Sequence, residues 1–140
     1  MSEASEVARS LRRATLRLAR SLRRERPGEA RPSSQVSVLA SLRDGEHTAR
    51  QLADLERIQP QTLSRTLAAL EGDGLIYRRS DPDDRRRAWL GLTSAGLAVL
   101  GQDMAGRDAW LAERLVGLSP AELAVLALAA ELVEKLAARD

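Results

Sequence analysis

The chain has 140 residues, 30% of them charged, and a formal net charge of only +2. That length holds one domain, or one domain with a docking extension. The small net charge leaves any nucleic-acid case to local patches. There are no cysteines, which excludes disulfides, thiolate metal sites and cysteine redox switches. No stretch reaches 18 consecutive apolar residues and the N-terminus lacks a signal-peptide core, so the expectation is a cytoplasmic protein with no membrane partner. Phe is absent, and aromatic residues are too few to form stacking platforms for single strands or RNA. Charge is unevenly placed. Residues 1–31 carry nine arginines against four acids, and residues 91–140 carry four basic groups against seven acids.

In chain order, Val7, Leu11, Ala14, Leu18 and Leu22 recur at helical spacing and predict a helix from about Ser5 to Arg24. Its other side carries Arg9, Arg12, Arg13, Arg17, Arg20, Arg23 and Arg24. Such a face can lie on an anionic membrane, help hold DNA, or stay solvated and pair with acids in a dimer. The helix has no Trp or Phe anchors, which disfavours the membrane. The run from Arg26 to Pro32 reads as a linker. Ser33 or Ser34 is the expected cap of a second helix that buries Val36, Val38, Leu39 and Leu42 and stops at Asp44-Gly45. Glu46-His47 is placed as a short strand. His47, the single histidine, reads as a surface or interface residue.

Thr48 to Leu70 reads as two short helices with a tight turn. Thr48 and Gln51 have capping-box spacing, and Leu52 and Leu55 are placed on one face of the first helix. The turn runs from Glu56 to Gln59, and Pro60 suits the first position of the next helix. There Leu63, Leu67 and Leu70 form a buried stripe, while Gln61, Thr62, Ser64 and Arg65 occupy the other face. Short or forked hydrogen-bonding side chains of this kind read base edges in a major groove. Two packed helices with a polar outer face fit this stretch equally well. After the terminator Glu71-Gly72-Asp73-Gly74, Leu75 to Arg79 and Arg86 to Leu92 read as a β-hairpin around a turn-rich Ser80 to Arg85. On the second strand Ala88, Leu90 and Leu92 share one face, and Arg87 and Trp89 the other. A hairpin directly behind a reading helix is a wing.

Thr93 then caps a long helix to about Val116, with Leu97, Leu100, Met104, Leu111 and Leu115 on its expected buried side and Gly101 and Gly106 weakening it. Ser119, Pro120 and Glu122 form a capping-box start for a last helix. That helix carries Leu123, Val125, Leu126, Leu128, Leu132, Val133 and Leu136, more apolar surface than one stripe and more than a short monomer can cover. A partner subunit is the economical answer.

Taken together, Gln51-Leu52-Ala53, Pro60-x-Thr62-x-Ser64-Arg65, Leu70-Glu71, Gly74-Leu75-Ile76, Asp81-Pro82-x-Asp84-Arg85-Arg86 and Leu92-Thr93-x-x-Gly96 resemble the MarR family of bacterial transcription regulators. The resemblance implies a mainly α (α+β) fold, a winged helix-turn-helix with N- and C-terminal dimerisation helices. Residues 33–92 would form the DNA-binding lobe, and 1–32 with 93–140 the dimerisation region. It further implies a homodimer on a pseudo-palindromic operator, repression, and relief by a small, often phenolic or lipophilic effector bound between lobe and dimer helices. DNA contact would come from Pro60, Gln61, Thr62, Ser64 and Arg65 of the reading helix and from Arg85, Arg86 and Arg87 of the wing. Asp84 would brace the wing, and either Arg85 or Arg86 would enter the minor groove. Trp89 departs from the pattern and reads as a ring covered by arginine stems. Arg57 stands where relatives often have glycine, and Gln59 replaces the usual cap before Pro60.

No phosphate loop, nucleophile with an adjacent base, or metal-ligand spacing is present, so no enzyme activity, cofactor or metal is expected. The alternative from another class is a winged-helix protein-interaction module that has lost DNA binding. The intact Arg65 and wing arginines count against it.

Overall fold

The computed structural model describes residues 1–25 and 31–138. Most of the expected linker, 26–30, lies outside them. Six helices and three strands follow in the order α1 (Glu3–Arg24), α2 (Ser33–Ser41), β1 (His47–Thr48), α3 (Ala49–Glu56), α4 (Pro60–Gly72), β2 (Ile76–Ser80), β3 (Ala88–Leu92), α5 (Ser94–Leu115) and α6 (Pro120–Ala137). The described chain falls into two compact units, Met1–Arg107 and Asp108–Asp140.

In the first unit, α2, α3 and α4 pack their apolar sides together with the sheet. Val36, Val38, Leu39 and Leu42 meet Leu52, Ala53, Leu63, Leu67 and Leu70, and Leu75, Ile76, Leu90 and Leu100 complete the core. The sheet is antiparallel in the order β1-β3-β2, with Arg78 opposite Leu90 and Arg79 opposite Trp89. Thr48 closes β1 and caps α3. Its hydroxyl accepts from the Gln51 amide while the Gln51 side chain accepts from the Thr48 amide, the reciprocal box its spacing predicts. The turn to α4 passes through Arg57 at φ 52°, a left-handed conformation that explains why glycine suits this position.

Several expectations shift. Ser2 caps α1 from Glu3, and Pro32 rather than a serine precedes α2, which has no side-chain cap. β1 begins at His47, so Glu46 stays outside the strand. β3 begins at Ala88, leaving Arg86 and Arg87 in the turn. Leu55 and Leu97 are exposed. On α3 the buried pair is Leu52 with its neighbour Ala53. On α5 the buried line passes through Gly96 and Leu100, four residues apart, and Leu97 is rotated off it. Gly96 is required there, because a Cβ would collide with the Leu75 carbonyl oxygen. Thr93 ties this junction as expected. Its hydroxyl donates to the Gly74 carbonyl at 2.6 Å and accepts from the Gly96 amide at 3.1 Å.

The apolar stripe of α1 is only partly covered, with Leu11 and Leu22 half-buried. The helix buries no residue, and Val7, Leu16 and Leu18 are exposed. In the second unit, α6 starts at the predicted Ser119–Glu122 capping box. It too buries none of its residues, and Leu123, Val125, Leu126, Leu128, Leu132 and Leu136 are exposed. No helix among the described residues is long and apolar enough to cross a membrane.

Candidate nucleic-acid interface

Pro60 opens α4 without a side-chain cap from Gln59. Leu63, Thr66, Leu67 and Leu70 turn inward, so Gln61, Thr62, Ser64 and Arg65 are exposed together with Pro60. Arg65 makes no ion pair among the described residues and stands free. Ser64 donates its hydroxyl hydrogen to the Pro60 carbonyl at 2.9 Å, which leaves its oxygen as an acceptor only.

The wing turn is organised by carboxylates. Asp81, only 8% exposed, accepts from the Asp83 amide at 2.8 Å and from the Trp89 indole N–H at 3.0 Å, with Arg87 at 3.8 Å. The backbone closes the same loop, because the Asp81 amide donates to the Arg87 carbonyl and the Arg87 amide to the Asp84 carbonyl. The Asp83 amide, followed by the Trp89 indole, holds the Asp81 carboxyl below its ordinary range against the opposing effect of burial. Asp84 accepts the Arg86 amide at 2.9 Å and forms no ion pair among the described residues. It shapes the tip locally. The carboxylate that ties tip to strand is Asp81. The Trp89 ring lies 5.8 Å from the Arg79 guanidinium, so an arginine does cover it.

The strand arginines are occupied. Arg78 forks onto Glu71 at 2.9 and 3.3 Å, which ties β2 to the last turn of α4. Arg79 forks onto Glu46, with contacts from 2.7 to 3.0 Å. Tyr77 donates to the same carboxylate at 2.8 Å. Arg79 first, and Tyr77 second, hold Glu46 below the ordinary glutamate range, and Glu46 in turn pushes the Tyr77 phenol up. By contrast Arg85 and Arg86 at the exposed tip have no ion-pair partner among the described residues, and Arg87 has only the long contact to Asp81. The predicted wing residues thus keep their charges available. Sequence reasoning gave no side-chain role to Glu46, Glu71 and Tyr77, and named Asp84 rather than Asp81 as the wing brace. The alternation of Tyr77 and Arg79 on one strand face was the available signal.

Two adjoining depressions join these parts. One, of about 420 Å³, is lined by Ala49, Arg50, Asp54, Pro60, Leu63 and Ser64 among others. The other, of about 600 Å³, runs from Thr48, Arg50 and Asp54 to Arg78, Asp84, Arg86 and Arg87. They share Ala49, Arg50 and Asp54, so the start of α4, the flank of α3 and the wing tip border one continuous surface. No group of three or more His, Asp or Glu that could hold a metal occurs among the described residues.

Two helices joined through a tight turn, the second with a solvent-facing polar side and a braced hairpin behind it, make this a winged helix-turn-helix protein. The family model described as "MarR family" matches residues 32–88. A helix-turn-helix-type transcriptional regulator of Mycobacterium bovis is 33% identical over 130 residues, 92% of this chain and 91% of that protein. The crystal structure of a transcriptional regulator protein from Pseudomonas aeruginosa aligns with a TM-score of 0.79 at 34% identity, over 100% of this chain and 99% of that one. A third, Bordetella bronchiseptica BpsR, whose DNA binding is regulated by 6-hydroxynicotinic acid, aligns with a TM-score of 0.60 at 25% identity, over 91% of this chain and 98% of its own. The chain belongs to the MarR family, whose members are DNA-binding transcription regulators and not enzymes.

Proposed function

We propose that this protein is a ligand-responsive repressor that binds a pseudo-palindromic duplex operator as a homodimer. α4 would read bases in the major groove through Gln61, Thr62, Ser64 and Arg65, with Pro60 setting its entry, while Arg85, Arg86 and Arg87 engage the neighbouring minor groove and backbone. The observation that carries the reading is the continuous surface joining the start of α4 to the wing tip, along which Arg50 and Arg86 have no ion-pair partner among the described residues. Dimerisation rests on the apolar side chains that α1 and α6 leave exposed, a surface that a second copy would cover. In this reading α1, α5 and α6 form the dimer and residues 33–92 the DNA-binding lobe.

A cavity of about 410 Å³ in the first unit supports the effector. Arg23, Ser33, Ser34, Ser37, Glu56 and Arg107 line it, a set suited to a small carboxylate such as the one that regulates BpsR. Glu56 accepts from Ser37 at 2.5 Å and Ser41 at 2.6 Å, immediately before the turn into α4. An anion competing for Ser37 would loosen that clamp and shift the reading helix.

Selection of bound duplexes from a random pool tests this function. It should recover an inverted repeat whose half-sites are centred about 10 base pairs, or a multiple of that, apart. A pool that stays random after several rounds would sink the reading.

A further inference from the structure

With α4 in a major groove and the wing tip in the next minor groove, the sugar-phosphate strand between those grooves must cross the protein between these two elements. In this fold that place is the depression of about 600 Å³ between the first turn of α3 and the wing. Its walls carry Arg50, Arg78, Arg86 and Arg87 against Asp54 and Asp84.

These arginines are not equivalent. Arg78 is forked onto Glu71, and Arg87 leans toward Asp81. Arg50 is exposed and has no hydrogen-bond or ion-pair partner among the described residues. Its backbone is nonetheless fixed, because it lies inside the Thr48–Gln51 capping box. Thr48 and Gln51 use only their oxygens, as acceptors, in that box and keep O–H and N–H donors, but both are neutral, which leaves Arg50 the cation on the helix side of the groove. A free guanidinium on a rigid turn, facing a basic wall, is suited to a phosphodiester oxygen. In helix-turn-helix proteins the first helix of the pair crosses the backbone, which is where α3 stands.

We propose that this groove seats the phosphate strand separating the two DNA grooves, and that Arg50 is its principal phosphate contact on the helix side. The proposal rests on the DNA-binding reading above. A contact of this kind adds affinity without sequence information. Arg50 would thus set how tightly the protein holds any duplex, and α4 would set which duplex it prefers.

The test is a salt series on three proteins, the parent, Arg50→Gln and Arg50→Lys, each with a selected operator and a random duplex of equal length. Arg50→Gln should bind both duplexes several-fold more weakly, leave the ratio between them unchanged, and flatten the slope of log K against log salt by about one unit. Arg50→Lys, which keeps the charge, should restore most of the slope. Equal thermal unfolding of the three proteins would confirm that Arg50 has no structural role. A parent-like slope in Arg50→Gln would overturn the phosphate contact. A loss confined to the operator would also overturn it, by making Arg50 a base reader. A parent protein with no salt-dependent duplex binding would instead bring down the DNA-binding reading, and this proposal with it.

Discussion

The ring of Tyr77 on β2 lies where a side chain at Gly91 on β3 would stand, directly across the hairpin. The missing side chain lets the ring lie flat over β3, and the phenol then reaches Glu46 at 2.8 Å. Glu46 also holds Arg79, which covers Trp89, whose indole N–H ends on Asp81. The outer face of the sheet is therefore one polar chain running from the start of the helix-turn-helix to the wing turn. The position of the tip depends on it.

Gly91→Ala should break this arrangement at its tightest point. The new methyl overlaps the Tyr77 ring, which must swing away and release Glu46. Forcing a group into packed space typically costs about 1–3 kcal/mol. A urea midpoint lowered with an unchanged m-value would show this, and parental stability would show that the ring moves freely.

The same chain gives a pH dependence. Glu46 and Asp81 both titrate below their ordinary values of 4.5 and 3.8. A carboxylate depressed in the folded state stabilises it at pH above its ordinary pKa, and that contribution is lost as pH falls through the folded value. Stability should therefore decline on acidification from about pH 4.5 downward, and the variant Glu46→Gln/Asp81→Asn should show a shallower decline. Thermal midpoints measured from neutral pH to about pH 3 check this. Parallel profiles for variant and parent would remove these two groups from the account.

At the wing tip, replacing Arg85 and Arg86 with Ala should weaken binding to all duplexes and flatten the salt slope by about one unit for each phosphate no longer neutralised. Asp81→Asn should also weaken binding, and more than Asp84→Ala, because Asp81 joins the turn to Trp89 while Asp84 holds only a local amide. Filter binding across a salt series separates the effects. The reverse order of the two aspartate variants would return the brace to Asp84.

Leu132 is half exposed on a helix with no buried residue. If a second copy covers that face, Leu132→Glu places a charge in the interface and should give a poorly folded chain that no longer binds its operator. Sedimentation of the parent is the direct check. A well-folded parent monomer at micromolar concentration that still holds a palindromic site tightly would refute the dimer.

The helix-turn-helix was legible in the sequence because its signals are local. A capping box, a proline at the first helical position and a leucine stripe each act within a few residues. The wing bracing was not. Asp81, Asp83 and Asp84 share one turn, and what distinguishes Asp81 is the Trp89 indole across the hairpin, a contact that register alone creates. Leu97 was misplaced because the buried line of α5 contains Gly96, a residue that hydrophobic periodicity does not count, and Leu55 because Ala53 takes the inward position on α3. Arg50 comes to share a depression with the wing only because the chain folds back, which its place in the sequence does not show.

The central claim is that α4 reads sequence, and Arg65 tests it most directly. The affinities of the parent and Arg65→Ala for a selected operator and for random duplex, measured at one fixed salt concentration, give four numbers. The account predicts that Arg65→Ala loses about 1–3 kcal/mol on the operator, loses much less on random DNA, and unfolds at the parental temperature. Equal operator affinity for the two proteins would contradict it.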